Sequence, residues 1–227
     1  MSWTAATLHM LDFEGSRHSG VVEFGVVTLA GTEIISTRTR LCAPVGPIAP
    51  VEAATHGIRE TDTAGAPPFH TEAAWFAQQR QTGPFAAHHA PVERNLLRRT
   101  WAVPPAAPDF LAADPATAPR VADWGPWLDT RQLYERLYPG QPNYQLMDLV
   151  RGFSLEAELA DLAATHCPSS RRRPHCALFD ALAAALLLIR LAREPALTQA
   201  SLGWLLRHSA PPADEQAGNQ SVLDLEE

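Results

Sequence analysis

The 227-residue sequence has little cysteine, no long uninterrupted apolar run and no excess of positive charge. Its three cysteines, Cys42, Cys167 and Cys176, are odd in number and widely spaced, which excludes a disulfide framework and fits reduced thiols. The longest apolar stretch, residues 177–191, carries Asp180 and Arg190 and falls short of the roughly 20 residues that a membrane-spanning helix needs. It reads as a core helix. The formal net charge of −7 argues against an extended surface that coats a duplex, which would be basic. It leaves room for a protein that grips one strand end through local arginines. The amino terminus lacks the basic region, apolar core and small-residue cleavage site of a signal peptide, so a cytoplasmic location without membrane contact is expected. His166-Cys167 and His175-Cys176 are adjacent pairs rather than C-x-x-C or H-x-x-x-H, so their side chains diverge and a zinc site is not expected.

With 46% hydrophobic residues the chain can bury one substantial core, and the expected organisation is a single domain over 1–208 followed by a polar, acidic, poorly ordered tail over 209–227. Residues 7–13, 21–29 and 32–41 are rich in β-branched types, with Ala30-Gly31 turning the second run into the third. This is a meander. Helical patterns cover 51–55 and 71–81, then a short strand ends at His88 and a helix runs over 91–100. A further strand lies near 127–129, with helices over 131–138, 145–152, 154–165 and 177–193. Antiparallel strands followed by alternating helix and strand give an α/β class, a mixed sheet with helices on its faces. Residues 102–126, crowded with Pro and Ala, read as an insertion over one edge, with Trp124 and Trp127 anchoring it on the core.

The acids are more informative. Asp12 and Glu14 end the run Leu8-His9-Met10-Leu11-Asp12-Phe13-Glu14, and strand alternation points both carboxylates, with Leu8 and Met10 behind them, to one face. Two like charges so close repel unless a cation sits between them. The stretch Pro84-Phe85-Ala86-Ala87-His88-His89-Ala90-Pro91-Val92-Glu93 reads as a strand turning into a helix at Pro91, which places Glu93 just beyond the strand end. In His175-Cys176-Ala177-Leu178-Phe179-Asp180 an acid enters an apolar helix, where a buried carboxylate needs a partner or a metal. Arg171-Arg172-Arg173 stands just before it, as a phosphate contact or a solvated loop. Asp129 reads as a helix cap, and His56 and His88 as structural residues.

In this order the motifs resemble those of the DEDDh class of 3′→5′ exonucleases, the DnaQ-like group that includes polymerase proofreading subunits and RNase T. The first motif, D-x-E, is matched by Asp12 and Glu14. The second, A-H-N-A-x-F-D, is matched by residues 87–93, and the third, H-x-x-x-x-D, by His175 and Asp180. Thr55-His56-Gly57-Ile58 and Leu128-Asp129-Thr130 add to the likeness, which runs from about residue 7 to about residue 193. The chain departs from the pattern at Gly15 and Ser16, where the family often has threonine after the D-x-E, at His89, where it has asparagine, and at Glu93, where it has aspartate.

The resemblance implies a ribonuclease-H-like fold and metal-dependent hydrolysis at the 3′ end of single-stranded DNA or RNA, releasing nucleoside 5′-monophosphates. Two Mg²⁺ or Mn²⁺ ions would be held by Asp12, Glu14 and Asp180, with Glu93 supporting one of them and His175 taking the proton from the attacking water. Gly15, Ser16, His56, His89, Arg171 and Arg172 complete the candidate set as substrate contacts. Two further readings compete: an exonuclease-like binding module that has lost catalysis, and a phosphodiesterase for short oligonucleotides. Oligomeric state is left open, a homodimer included.

Overall fold

The largely apolar run that follows Thr7 builds β1, Thr7–Ser16, which pairs antiparallel with β2, Gly20–Ala30, and β2 pairs in turn with β3, Glu33–Leu41. The structure is a computed structural model that describes residues 2–210. On the other side of β1 two short strands, β4, Phe85–Ala87, and β5, Trp127–Asp129, run parallel to it, giving the order β3-β2-β1-β4-β5. The sheet is mixed, as the sequence pattern implied. Nine α-helices and three short 3-10 helices complete the described residues, the α-helices being α1, Pro50–His56; α2, Ala73–Thr82; α3, Pro91–Thr100; α4, Thr130–Leu137; α5, Leu146–Gly152; α6, Glu156–His166; α7, Ala177–Leu191; α8, Pro195–Thr198; and α9, Leu202–His208.

The period of two in β1 sorts its residues into two cores. Leu8 and Met10 join the larger one, with Val27, Leu29 and the leucines of α7, while Leu11 and Phe13 join an aromatic one with Phe24, Phe69, Phe76 and Phe85. Phe69 and Phe76 meet edge to face at 5.3 Å, the arrangement that ring quadrupoles favour. Helix α7 is apolar on nearly every side because the sheet lies on one side of it and α5 and α6 on the other. Each leucine it buries completely contributes about 1.5–3 kcal/mol. It reaches β2 only because Gly25 has no side chain: a Cβ there would come within 2.3 Å of Ala177 C and Leu178 N.

Residues 102–126 lie against the fold through specific anchors. Trp124 is buried, its indole N–H donates to Trp101 O at 2.7 Å, and its ring stacks on Phe85. Arg80, wholly buried on α2, donates to Pro108 O at 3.1 Å and to Gly125 O, with its guanidinium over the Phe110 ring. At the other end of the chain Ser209, the first residue of the segment expected to be a tail, is buried and its hydroxyl donates to Leu206 O at 3.1 Å. Residues 211–227 lie outside the described residues. Among the described residues the three cysteines are free and buried, and no helix is long and apolar enough to cross a membrane.

Candidate active site

Three segments far apart in sequence bring their acids to the carboxyl ends of β1 and β4. Asp12 and Glu14 come from β1, whose pairing with β2 slips between Glu14 and Gly15. Gly15 makes that slip possible: its φ is +130°, and a Cβ would sit 2.0 Å from Gly20 O. Beyond it Ser16 closes the turn, its hydroxyl accepting from the N–H groups of His18 and Ser19.

Glu93 stands in the first turn of α3 and is buried. The turn before it is held from below by Asp129, whose carboxylate accepts from the N–H groups of His89 (3.1 Å) and Ala90 (2.9 Å) while capping α4 at Arg131 N and Gln132 N. The cap was legible in the sequence; the tie to β4 was not. His88 is locked between Thr130 Oγ1 and Tyr144 O, both at 2.9 Å. Because a carbonyl can only accept, its Nε2 carries the proton, and burial pushes its pKa down to about 4. It is a neutral structural residue. His89 is exposed with φ of 70°, in the left-handed region that histidine shares with asparagine and aspartate among side-chain-bearing residues. The backbone N–H of Glu93 itself, one of the orphan donors of a helix start, favours the charged form of the side chain, though burial outweighs it, and Oε2 is buried with no partner among the described residues.

The third segment precedes and enters α7. His175 is exposed, also left-handed at φ of 60°, and its backbone N–H donates to Asp180 Oδ2 at 2.9 Å. Asp180 Oδ1 is buried with no partner. One ligand atom each from Glu14, His175 and Asp180 lie within 4.8 Å of one another. Asp12 joins the same cluster, feeling the charges of Asp180, Glu14, Glu93 and Glu23.

Burial, and after it this mutual repulsion, raises every carboxyl of the group. Glu14 moves up to about 8 and Asp180 to about 7, while Asp12 and Glu93 lie well above the usual carboxylate range. Buried acids crowded together with oxygens left unpartnered form an arrangement that a hard divalent cation would satisfy, since such ions take carboxylate oxygen ligands. The site fits a metal.

The remaining candidates are placed less centrally. His56 is buried, with Nδ1 accepting from Ile58 N at 3.0 Å and Nε2 unpartnered. Arg172 donates to the carbonyls of Cys167 and Ala164, at the end of α6. Arg171 is committed to Glu23, a buried acid on β2 that sequence reasoning passed over. The signal was there: Glu23 interrupts the apolar run Val21-Val22-Glu23-Phe24.

No family model and no curated protein matches the sequence. Solved structures do. Exonuclease X, in complex with 5′-overhanging duplex DNA, superposes with a TM-score of 0.63 at 23% identity, over 88% of this chain and 99% of that one. The nuclease domain of 3′hExo, a DEDDh family member bound to rAMP, gives 0.56 at 15% identity, over 87% and 97%. Exonuclease I gives 0.56 at 16% identity, over 85% of this chain and 42% of that one. The chain has the DnaQ-like exonuclease fold. Within that fold the five-stranded mixed sheet and its flanking helices are the ribonuclease-H-like arrangement expected from the motifs.

Proposed function

We propose that this chain is a metal-dependent 3′→5′ exonuclease acting on single-stranded DNA or RNA. The observation that carries the reading is the convergence of Glu14, His175 and Asp180, joined electrostatically by Asp12 and Glu93, with buried carboxylate oxygens that no described residue satisfies. The exonuclease fold supports it, and the neighbouring structures with overhanging duplex DNA and with rAMP point to nucleic acid as the substrate. Free buried cysteines agree with a reducing compartment, and we assign the cytoplasm.

Asp12, Glu14 and Asp180 would hold two divalent ions, Mg²⁺ or Mn²⁺, with Glu93 supporting one of them. Such ions activate the attacking water and stabilise the leaving 3′ oxygen. His175 is the general base: its ring is exposed to solvent while its backbone N–H is fixed by Asp180, so the imidazole stands beside the acids and can take the proton from the water. The other face of Asp180 remains free for the cation. Gly15 and Ser16, at the bulged end of β1, and His89, at the exposed turn before Glu93, border the cluster and serve as strand-end contacts. Arg171 and Arg172 donate to protein partners and His56 accepts from Ile58 N through Nδ1, so these three support the walls from behind. Each turnover releases a nucleoside 5′-monophosphate.

The test uses 3′- and 5′-labelled single-stranded DNA and RNA of several lengths with Mn²⁺, Mg²⁺ or EDTA. Shortening from the 3′ end that depends on the metal is expected. Activity that persists in EDTA, or early release of 5′-terminal nucleotides, would overturn the assignment. Cleavage confined to the shortest substrates would turn it toward an oligonucleotide phosphodiesterase.

A further inference from the structure

Glu23 is the acid that the proposed chemistry leaves unused. It is 4% exposed, near the start of β2, directly across from Glu14 in the strand register, and its charge reaches Asp12, Glu14 and Asp180. A fifth carboxylate at such a place would crowd an already repulsive cluster. It is instead answered on both oxygens. Arg171 donates Nε to Oε1 at 3.0 Å and Nη2 to Oε2, a two-pronged pair whose guanidinium is also largely buried. Oε2 further accepts the N–H of Ala177, one of the unsatisfied donors at the start of α7, at 2.9 Å.

The third arm of Arg171 reaches elsewhere. Its Nη1 donates to His56 O at 2.9 Å, at the carboxyl end of α1, where Arg173 adds a second bond at 3.1 Å. One guanidinium therefore joins β2, the end of α1 and the loop that leads into His175. On the far side Gly25 admits the backbone of Ala177 and Leu178 directly onto β2. Between these two contacts the start of α7 cannot slide along the sheet, and with it are fixed Asp180 and the left-handed residue His175.

We propose that the Glu23–Arg171 pair is the positioning element of the active site, setting the segment that bears His175 and Asp180 against the strand that bears Asp12 and Glu14. This rests on the exonuclease reading for its effect on rate, though not for its effect on structure. Lysine at 171 would keep the charge but, with a single ammonium in place of the planar fork, could not bind a carboxylate on two sides and a carbonyl on a third.

The experiment compares the full chain with its Arg171→Lys variant, by hydrogen–deuterium exchange of the segments covering 50–58 and 168–180 and by single-turnover cleavage of a 3′-labelled oligonucleotide at saturating Mn²⁺. Exchange in those two segments should rise about tenfold in the variant while the rest of the sheet stays protected. The maximal cleavage rate should fall by roughly the hundredfold that an ångström-scale misplacement produces, with the KM for oligonucleotide within about twofold. Unchanged exchange in both segments overturns the proposal, as does exchange that rises throughout the fold or a cleavage defect confined to KM. A parent chain that cleaves nothing overturns the exonuclease reading, and the exchange arm then decides the positioning role by itself.

Discussion

Leu8 and Met10 at one end of β1, and Asp12 and Glu14 at the other, share one face of the sheet, yet their surroundings treat them in opposite ways. The first two are wholly buried among the leucines of α7 and add apolar burial to the larger core. Asp12 and Glu14 lie where the same helix begins, over Gly25, the register partner of Asp12. There the burial that stabilises leucine penalises every carboxylate, and the repulsion of neighbours adds to the penalty. One strand thus holds a stabilising end and a destabilising end four residues apart. The second persists because the surrounding packing fixes it, the usual condition of a functional site.

Substitutions at the two ends should separate stability from activity. The largest effect is expected from Asp12→Asn, which should lower metal-dependent cleavage by at least roughly a hundredfold, since it removes one of the proposed ligands. In EDTA the same variant should be more stable, by about 1 kcal/mol, or about 2–4 °C in thermal midpoint for a chain of this size. A less stable metal-free variant would contradict the repulsion described here. Leu8→Ala should do the reverse, costing about 2–5 kcal/mol of stability while leaving Mn²⁺ affinity, measured by calorimetry well below the unfolding temperature, close to that of the parent.

The acidic end should also be visible in the pH dependence of stability. Because the carboxyls of Glu14 and Asp180 are raised in the folded chain, from ordinary values of 4.5 and 3.8 to about 8 and about 7, they bind protons more tightly folded than unfolded. Their contribution is therefore full below about pH 4 and is lost as pH rises through about 7 to 8. The midpoint measured in EDTA should fall across that window. With saturating Mn²⁺ the fall should shrink or reverse, since the ion takes the place of the protons. A metal-free midpoint that does not change between pH 5 and 8 would show that these carboxyls are not raised.

The two ends of β1 were not equally hard to read. Alternation placed Leu8, Met10, Asp12 and Glu14 on one face before any coordinates, because strand geometry leaves no other choice. Asp180 stood out for the same kind of reason, an acid within the apolar run of α7. What could not be read were the pairings that join distant segments. Arg171 and Glu23 are 148 residues apart, and Asp129 reaches His89 across 40, so no local pattern records either bond. Nor does any local pattern show that Arg80, on the polar helix α2, is buried beneath the 102–126 insertion. Local rules give elements and faces; the supports of the site come from contacts whose partners only the fold brings together.

Glu93 should show the smallest effect on one substitution and a large one on the other, which tests whether the acidic end has adapted to its longer side chain. Glutamate carries one methylene more than the aspartate of the motif it resembles, a difference on the order of 1 Å. In this structure the longer side chain is buried in the first turn of α3, where its own N–H favours the carboxylate and Oε2 has no partner among the described residues. A side chain already folded into its place gains nothing from being shortened, and an aspartate there would pull the oxygens away from the cluster. Glu93→Asp should therefore leave cleavage within a few-fold of the parent or somewhat below it. Glu93→Gln, which keeps the shape and removes the charge, should lower it by roughly a hundredfold. The measurement is Mn²⁺-dependent cleavage of a 3′-labelled oligonucleotide by both variants beside the parent. A large gain from Glu93→Asp would mean that the glutamate impairs the site, and a parental rate from Glu93→Gln would remove this carboxylate from the catalytic set.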